Sequence, residues 1–256
     1  MSIVWADIER DVVVARGDDA LSFLHSQLAQ DIASMTVGES RHSFLLEPTG
    51  HITTLLRVVR HSETDFSLDT DAGHGQAIVD RLKRFVLRSK VELSLSDGKV
   101  RAFRGPNVAA AIDGAQGLAL VGQGSPDAVD VVSTDGRLPV VGEETEAGYV
   151  DMVRVDSGWP RMGVDILVGD IPATSGVVSL CVSFTKGCYP GQELVERMDS
   201  RGASAPVVVR TISRDGVGVG MRLEEDGKFV GTVTSIGFTR ALARVDRTST
   251  LGEPLT

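Results

Sequence analysis

The chain has 256 residues, of which 42% are hydrophobic and 24% charged, and its formal net charge is −9. This composition is ordinary for a soluble globular protein and argues against disorder, while the negative charge disfavours a nucleic-acid binder that works through bulk positive potential. The N-terminus lacks a signal-peptide pattern and no window approaches eighteen uninterrupted apolar residues, so we expect a cytoplasmic protein that does not contact a membrane.

The first part of the chain predicts a helix followed by strands. Apolar residues recur at helical spacing behind a Gly-Asp-Asp-Ala turn, which predicts an amphipathic helix near residues 19–32. The turn-rich tetrapeptide 47–50 separates the apolar runs 43–46 and 52–59, and this pattern is typical of a β-hairpin. Alternating polar and apolar residues predict a half-buried strand over 65–69.

A second helix is predicted over residues 75–88, with one apolar face and one basic face. The basic face carries Arg81, Lys83, Arg84 and Arg88. An alternating strand, 91–96, follows it, and a helix followed by a strand with hairpins before it indicates an α+β protein. No element is predicted for residues 105–145. After residue 205, short strand candidates separated by Gly and Asp turns predict a small β-barrel or sandwich.

The histidines and cysteines of the sequence do not predict a metal site. The five histidines all precede residue 75, and scattered histidines are weak evidence for a metal, so none is predicted. Among them, His42 and His51 flank the predicted hairpin and are candidates to line a cavity. The cysteines, Cys181 and Cys188, are too few for a disulfide framework or, alone, for a zinc site. Cys181 lies in an apolar run and is predicted to be structural.

The motif loop, residues 184–193, is the most informative stretch. It is a glycine-flanked loop that runs into a predicted helix. Cys188 lies just before the start of that helix and two residues from Lys186, and both features favour the thiolate form. The alternative is that Cys188 is a small buried hydrophobic residue and that the loop is only a tight turn.

The run Lys186-Gly187-Cys188-Tyr189-Pro190-Gly191-Gln192-Glu193 resembles the K-G-C-Y-x-G-Q-E motif of the YgfZ family, the folate-binding relatives of the glycine-cleavage T-protein. The resemblance covers nearly the whole chain, including residues 17–31, 81–91 and 231–235. It implies a T-protein-like body of two lobes around a central folate cavity over residues 1–204. A small C-terminal β-barrel would follow over residues 205–256.

The resemblance also implies which residues hold the folate. Arg154-Val155-Asp156-Ser157-Gly158, followed by Gly163-Val164-Asp165, resembles the T-protein pattern R-x-E-A-G…G-x-D, in which the carboxylate accepts hydrogen bonds from the pterin. Asp156 would take that role, although it is one methylene shorter than glutamate, and a carboxylate suits a two-donor edge. The alternative is a loop-end carboxylate paired with Arg154. The other folate-binding candidates are Tyr189, Gln192 and, for the glutamate tail, Arg84.

The chain also differs from the T-protein at one pair of positions. Where the T-protein has an Asp-Asp pair near the folate, our alignment puts Thr54 and Leu55. Neither side chain can orient a cationic amine or exchange its proton, so we do not expect aminomethyl transfer.

The resemblance therefore implies a chain that binds tetrahydrofolate or another reduced folate and supports iron–sulfur cluster assembly or repair, including the clusters of tRNA-modifying enzymes. Its partners would be iron–sulfur proteins or assembly factors, without direct contact to nucleic acid. Cys188 and Lys186 would carry any thiol chemistry. Two alternatives stay open: a folate-dependent one-carbon transferase or demethylase, and a non-catalytic module whose motif loop is a docking surface.

Overall fold

The computed structural model describes residues 2–112, 118–120, 127–201 and 205–255, and these residues build three five-stranded sheets with helices packed around them. The strands are β1 (Val4–Ile8), β2 (Arg10–Arg16), β3 (Ser40–Leu46), β4 (Ile52–Arg60), β5 (Asp65–Asp71), β6 (Glu92–Ser96), β7 (Lys99–Arg104), β8 (Leu118–Leu120), β9 (Ala128–Ser133), β10 (Glu143–Glu144), β11 (Val207–Ser213), β12 (Arg222–Glu225), β13 (Lys228–Ile236), β14 (Arg240–Asp246) and β15 (Glu253–Pro254). The helices are α1 (Ala20–Gln27), α2 (Gly75–Lys83), α3 (Val108–Ala111), α4 (Ala147–Asp156), α5 (Val178–Cys181) and α6 (Gln192–Arg201), with a 3-10 helix at Pro172–Ser175.

The first sheet has the antiparallel order β3-β4-β5-β2-β6. Helices α1 and α2 bury their apolar sides against it, and their core includes Phe23, Leu24, Leu45, Ile78 and Leu82. The predicted hairpin is confirmed as β3 and β4, which pair antiparallel around the turn at residues 47–50. Strand β4 is buried along its whole length, because other elements cover both faces of the sheet.

The second sheet has the order β10-β1-β7-β9-β8 and takes strands from the region for which the sequence predicted none. Strand β1 belongs to this sheet, whereas β2 belongs to the first. A single residue, Glu9, separates the two strands, so the chain passes directly from one sheet to the other. Four buried valines, contributed by both sheets, pack together where the sheets meet: Val12, Val59, Val100 and Val132.

The third sheet, after residue 205, is antiparallel with the order β12-β13-β14-β11-β15. The α+β fold class is confirmed, but the predicted barrel is not, because no pairing between the edge strands β12 and β15 closes this sheet in the described residues. The sheet contributes to a central core shared with the first sheet, which includes Phe44, Leu46, Val155, Tyr189, Val209, Leu242 and Leu255. The predicted boundary at residue 204 adjoins residues 202–204, which lie outside the described residues, and the division into two regions stays a prediction.

Two helices are shorter than predicted. Helix α1 ends at Gln27 rather than near residue 32, because the backbone beyond it pairs with β3: Leu28 bridges Leu45, and the N–H of Ala29 donates to the carbonyl of Phe44 at 3.0 Å. Helix α2 ends at Lys83 rather than Arg88, and turns follow it. Every described helix is too short or too polar to cross a membrane.

Candidate functional site

A cavity of about 750 Å³ lies where the first sheet, the second sheet and helix α4 meet. The loop at residues 159–164 also lines it. This volume lies within the range of roughly 300–1,000 Å³ that is usual for small-molecule sites. The lining residues that matter for its chemistry are His42, Arg57, Arg104, Asp151, Arg154 and Trp159.

A chain of buried ion pairs runs beneath the cavity and joins the two sheets. Arg57 on β4 donates to Asp69 on β5, with Nε 3.0 Å from Oδ1, and to Asp130 on β9, with Nη1 2.5 Å from Oδ2. Asp69 also pairs with Arg10, and Asp130 with Arg104 at 2.9 Å. Burial alone would raise the pKa of Asp69, but Arg57 and Arg10 hold it at about 2. The network is therefore ionised throughout, and its charges are paired.

One wall of the cavity is aromatic. The rings of His42 on β3 and Trp159 lie with their centroids 4.3 Å apart and their planes at 55°. Burial, together with the cation of Arg57, lowers the pKa of His42 to about 3, so the imidazole is neutral at physiological pH. The wall can therefore contact a flat, uncharged ring.

An acidic group on α4 lies at the cavity between two cations. Asp151 accepts from Arg154, with Nε 2.7 Å from Oδ1, and from Arg161 Nη1 at 3.3 Å. Burial would raise the pKa of Asp151, but the hydrogen bond from Arg154 and the two cations lower it. Arg154 is itself held by Asp165 at 2.9 Å and by Ser235 Oγ at 3.2 Å. Because the Asp151 side chain stays 36% exposed, it keeps acceptor capacity for a ligand.

Comparison with known proteins agrees with this architecture. No family model matches the chain. It is 26% identical to an uncharacterised protein from Haemophilus influenzae, over 88% of this chain and 80% of that protein. It is 24% identical to the tRNA-modifying protein YgfZ of Aliivibrio fischeri (89% of this chain, 80% of that protein) and 25% identical to that of Photobacterium profundum (73% and 62%). Its fold matches the glycine cleavage system aminomethyltransferase T of Bartonella henselae with a TM-score of 0.77 at 21% identity, over 96% of this chain and 78% of that chain.

In sequence the chain resembles the YgfZ proteins, and it shares the fold of the T-protein. The resemblance seen in the sequence is thereby confirmed.

Of the residues that the YgfZ resemblance assigned to folate, only Arg154 lines the cavity. The carboxylate of Asp156 lies outside the lining and accepts three backbone N–H groups from the turn between β13 and β14, at 3.2, 3.0 and 3.0 Å. It therefore anchors the third sheet to α4, and it is not paired with Arg154. Arg84 is exposed beyond the end of α2 and also lies outside the lining. Asp151, three residues before Arg154 on α4, lines the cavity instead.

The YgfZ motif loop is anchored on both sides of its cysteine. The Lys186 ammonium donates to three backbone carbonyls at and beyond the end of α1, those of His25, Leu28 and Gln30. It also lies 5.2 Å from the ring centroid of Tyr189, which is buried in the central core. Burial lowers the pKa of Lys186 to about 8. Lys186 thus fastens the motif loop to α1.

Beyond the cysteine, the loop contacts the hairpin turn at residues 47–50. Gly191 has φ +88°, and a Cβ there would lie 2.6 Å from the carbonyl oxygen of Glu47 and 2.9 Å from the Cα of Gly50. The side chain of Gln192 accepts the backbone N–H of Tyr189 at 2.9 Å. Gly191 and Gln192 of the motif therefore stabilise the conformation of the loop.

Cys188 itself is exposed, whereas Cys181 is buried as predicted. None of residues 184–193 lines the cavity, so the structure does not bring Cys188, Tyr189 or Gln192 together with Arg154. Among the described residues, no group of three or more His, Cys, Asp or Glu side chains is arranged to hold a metal ion. Of the two histidines predicted near a cavity, His42 lines it and His51 does not.

Sequence reasoning missed Asp151, Arg57, Arg104 and Trp159. A partial signal was available for two of them. Asp151 and Arg154 lie three residues apart, which is the spacing of a helical ion pair, and Trp159 follows the matched T-protein pattern directly. Arg57 and Arg104 gave no signal, because only the pairing of two sheets turns them toward one cavity.

Proposed function

We propose that the chain binds tetrahydrofolate or another reduced folate in the cavity between the first and second sheets. The observation that carries the proposal is the combination, in one cavity of about 750 Å³, of a partly exposed carboxylate and an aromatic wall. A pterin needs an acceptor for its two-donor edge and an apolar surface for its face. The T-protein-like fold of the chain supports the same ligand.

Asp151 takes the role first assigned to Asp156. Its ionised carboxylate accepts the 2-amino and ring N–H groups of the pterin, while Arg154 and Arg161 hold it in position. Arg104 supplies a donor for an acidic or carbonyl group of the ligand. Its Nε is buried and has no hydrogen-bond partner among the described residues, and a buried donor left unpaired is costly. The groups present in the cavity therefore fit a folate.

The folate-bound chain serves iron–sulfur cluster assembly or repair, with iron–sulfur proteins or assembly factors as clients. Two of its relatives are named tRNA-modifying proteins, which favours clients among the cluster-bearing enzymes that modify tRNA. Cys188 supports the assignment, because it is an exposed thiol on a loop that Lys186 fastens to the end of α1. Such a thiol can meet a client without any rearrangement of the fold.

Ligand titration tests the binding proposal. In a Trp5→Phe variant only Trp159 fluoresces, and Trp5 lies away from the cavity against Arg101. We expect tetrahydrofolate to change this fluorescence saturably, and folic acid to bind more weakly. Asp151→Asn should weaken binding by about 1.5–3 kcal/mol, the value of a hydrogen bond to a charged group. Asp156→Asn, the matched control on the same helix, should leave the affinity unchanged.

The client role needs a separate measurement. In cells that lack this chain, we expect the activity of a cluster-bearing tRNA-modifying enzyme to fall. Wild-type chain should restore it, and Cys188→Ser should not, although that variant should keep its folate affinity. Absence of any saturable tetrahydrofolate binding would refute the folate assignment, and full rescue by Cys188→Ser would refute the role of the thiol.

A further inference from the structure

His42 is a buried polar side chain whose hydrogen bonds are left open. It is 9% exposed and lines the cavity, yet within the described ranges neither ring nitrogen has a hydrogen-bond partner. Histidines elsewhere are engaged: His61 Nε2 contacts Ser67 Oγ at 2.7 Å, and His51 Nδ1 contacts Thr49 at 3.0 Å. The ring nitrogens of His42 are not sealed off from the cavity, so they are available to a partner that enters it.

The surroundings of His42 restrict what that partner can be. Trp159 lies against one side of the imidazole, and Arg57 is its register partner on β4. The guanidinium of Arg57 is fully engaged with Asp69 and Asp130, so it acts on the cavity as a fixed charge. Because Arg57 lowers the pKa of His42, the imidazole meets a ligand as a neutral group. A neutral imidazole offers one donor and one acceptor on different sides of its ring, so one nitrogen can hydrogen-bond to the edge of an uncharged ring.

We propose that His42 is the specificity-determining residue for the heterocycle of the ligand, and that one of its ring nitrogens hydrogen-bonds to the uncharged edge of a reduced pterin lying against Trp159. The proposal rests on the assignment of folate to this cavity and deepens it. His42 recognises the pterin ring and makes no contact with the aminobenzoyl-glutamate part.

Calorimetry with matched variants tests the inference. We expect His42→Ala to weaken tetrahydrofolate binding roughly tenfold, the equivalent of one neutral hydrogen bond. His42→Gln retains a donor and an acceptor, so it should recover most of the loss. His51→Ala, an exposed histidine outside the lining, should bind as the wild type does. Thermal unfolding of each variant establishes that it is folded.

A second measurement uses the wild-type chain and does not depend on any variant. With ¹⁵N-labelled histidine, tetrahydrofolate should shift the ring-nitrogen resonances of His42 and leave those of His61 in place. Tetrahydrobiopterin, which has the reduced ring without the tail, should shift them too, and p-aminobenzoylglutamate should not.

The two possible failures are distinguishable. If tetrahydrofolate does not bind the wild-type chain at all, the folate assignment itself fails. If tetrahydrofolate binds but His42→Ala keeps the full affinity, or the His42 resonances do not move, the folate site stands and the role of His42 is overturned.

Discussion

His42 is held neutral by burial and by two nearby arginines, and this environment makes stability depend on pH. Burial lowers its pKa to about 3, with Arg57 and Arg10 adding to the effect while Asp69 and Asp130 oppose it. In the unfolded chain it titrates near 6.5. Between these values the unfolded state binds a proton that the folded state does not. The stability due to neutral His42 is therefore complete above about pH 6.5 and is lost as the pH falls toward 3.

Urea unfolding between pH 7 and pH 4 measures this loss. We expect the wild-type free energy of unfolding to fall by roughly 2–4 kcal/mol from His42 alone. His42→Gln should remove that part of the slope, whereas His25 and His61, whose pKa values are also lowered, remain in both proteins. Asp69, with a pKa of about 2, contributes only below about pH 4. Equal slopes for wild type and variant would contradict the expectation.

The two cysteines should differ sharply in reactivity. Cys188 is exposed, whereas Cys181 is fully buried and burial raises the pKa of its thiol. Iodoacetamide should therefore label Cys188 in the native chain and reach Cys181 only after unfolding, as followed by mass spectrometry. Cys188→Ser should leave the unfolding midpoint unchanged, because the side chain supports no core contact. Comparable labelling of both cysteines under native conditions would show that the core around Cys181 opens.

At the residue scale, the sequence predicted which segment contributes to the cavity better than it predicted which side chain of that segment lines it. It singled out the helix that carries Arg154 and Asp156, but the turn that engages the Asp156 carboxylate is 82 residues away. No local pattern reports such a contact. Asp151 has the same charge and lies on the same helix, but its side chain lines the cavity that this helix forms with the first and second sheets.

At the element scale, the contact between the motif loop and the hairpin turn requires a residue without a side chain at Gly191. Its φ of +88° is unfavourable for any residue with a Cβ, and a Cβ would lie 2.6 Å from a backbone oxygen. We expect Gly191→Ala to lower the free energy of unfolding by about 2–4 kcal/mol. Gly187→Ala, in the same loop with no atom within 4 Å of its Cβ position, should change it by less than about 0.5 kcal/mol. Similar losses for the two variants would contradict this contact.

The sequence predicted individual elements correctly where turn-forming residues clearly separate apolar segments. The hairpin of β3 and β4 is confirmed because a turn-rich tetrapeptide separates two apolar runs. Strand β2 escaped prediction, because its central residues are consecutively buried and so do not alternate. Helix α1 was predicted too long, because Leu28 and Ile32 continue the apolar spacing although their backbone belongs to the packing against β3.

At the scale of the whole molecule, Arg57 joins the first and second sheets. Arg57→Met removes the shared cation and leaves Asp69 and Asp130 with one arginine each. Breaking a buried ion pair from one side costs about 3–5 kcal/mol, and we expect a loss of that size in urea unfolding. Arg16→Met, which breaks an exposed pair with Asp65, should cost less than about 1 kcal/mol. If the two losses are similar, the buried chain of ion pairs is not what couples the sheets.

The assembly of three sheets could not be predicted from the sequence, even where their strands could. The cavity depends on this assembly, since its lining comes from the first sheet, the second sheet and α4 together. The family resemblance implied a central cavity, and only the pairing of distant strands determines which side chains line it.

The direct passage from β1 to β2 constrains the order in which the chain can fold. Strand β2 pairs with β5 and β6, and β1 pairs with β7 and β10, so the two adjacent strands wait for different partners that are synthesised later. Strand β2 has no partner until β5 has emerged, and β1 has none until β7 has emerged. Such long-range pairing is slow and leaves nascent chains prone to aggregation. The segment that carries β1 and β2 therefore completes its native pairing only after the later strands of both sheets have been made.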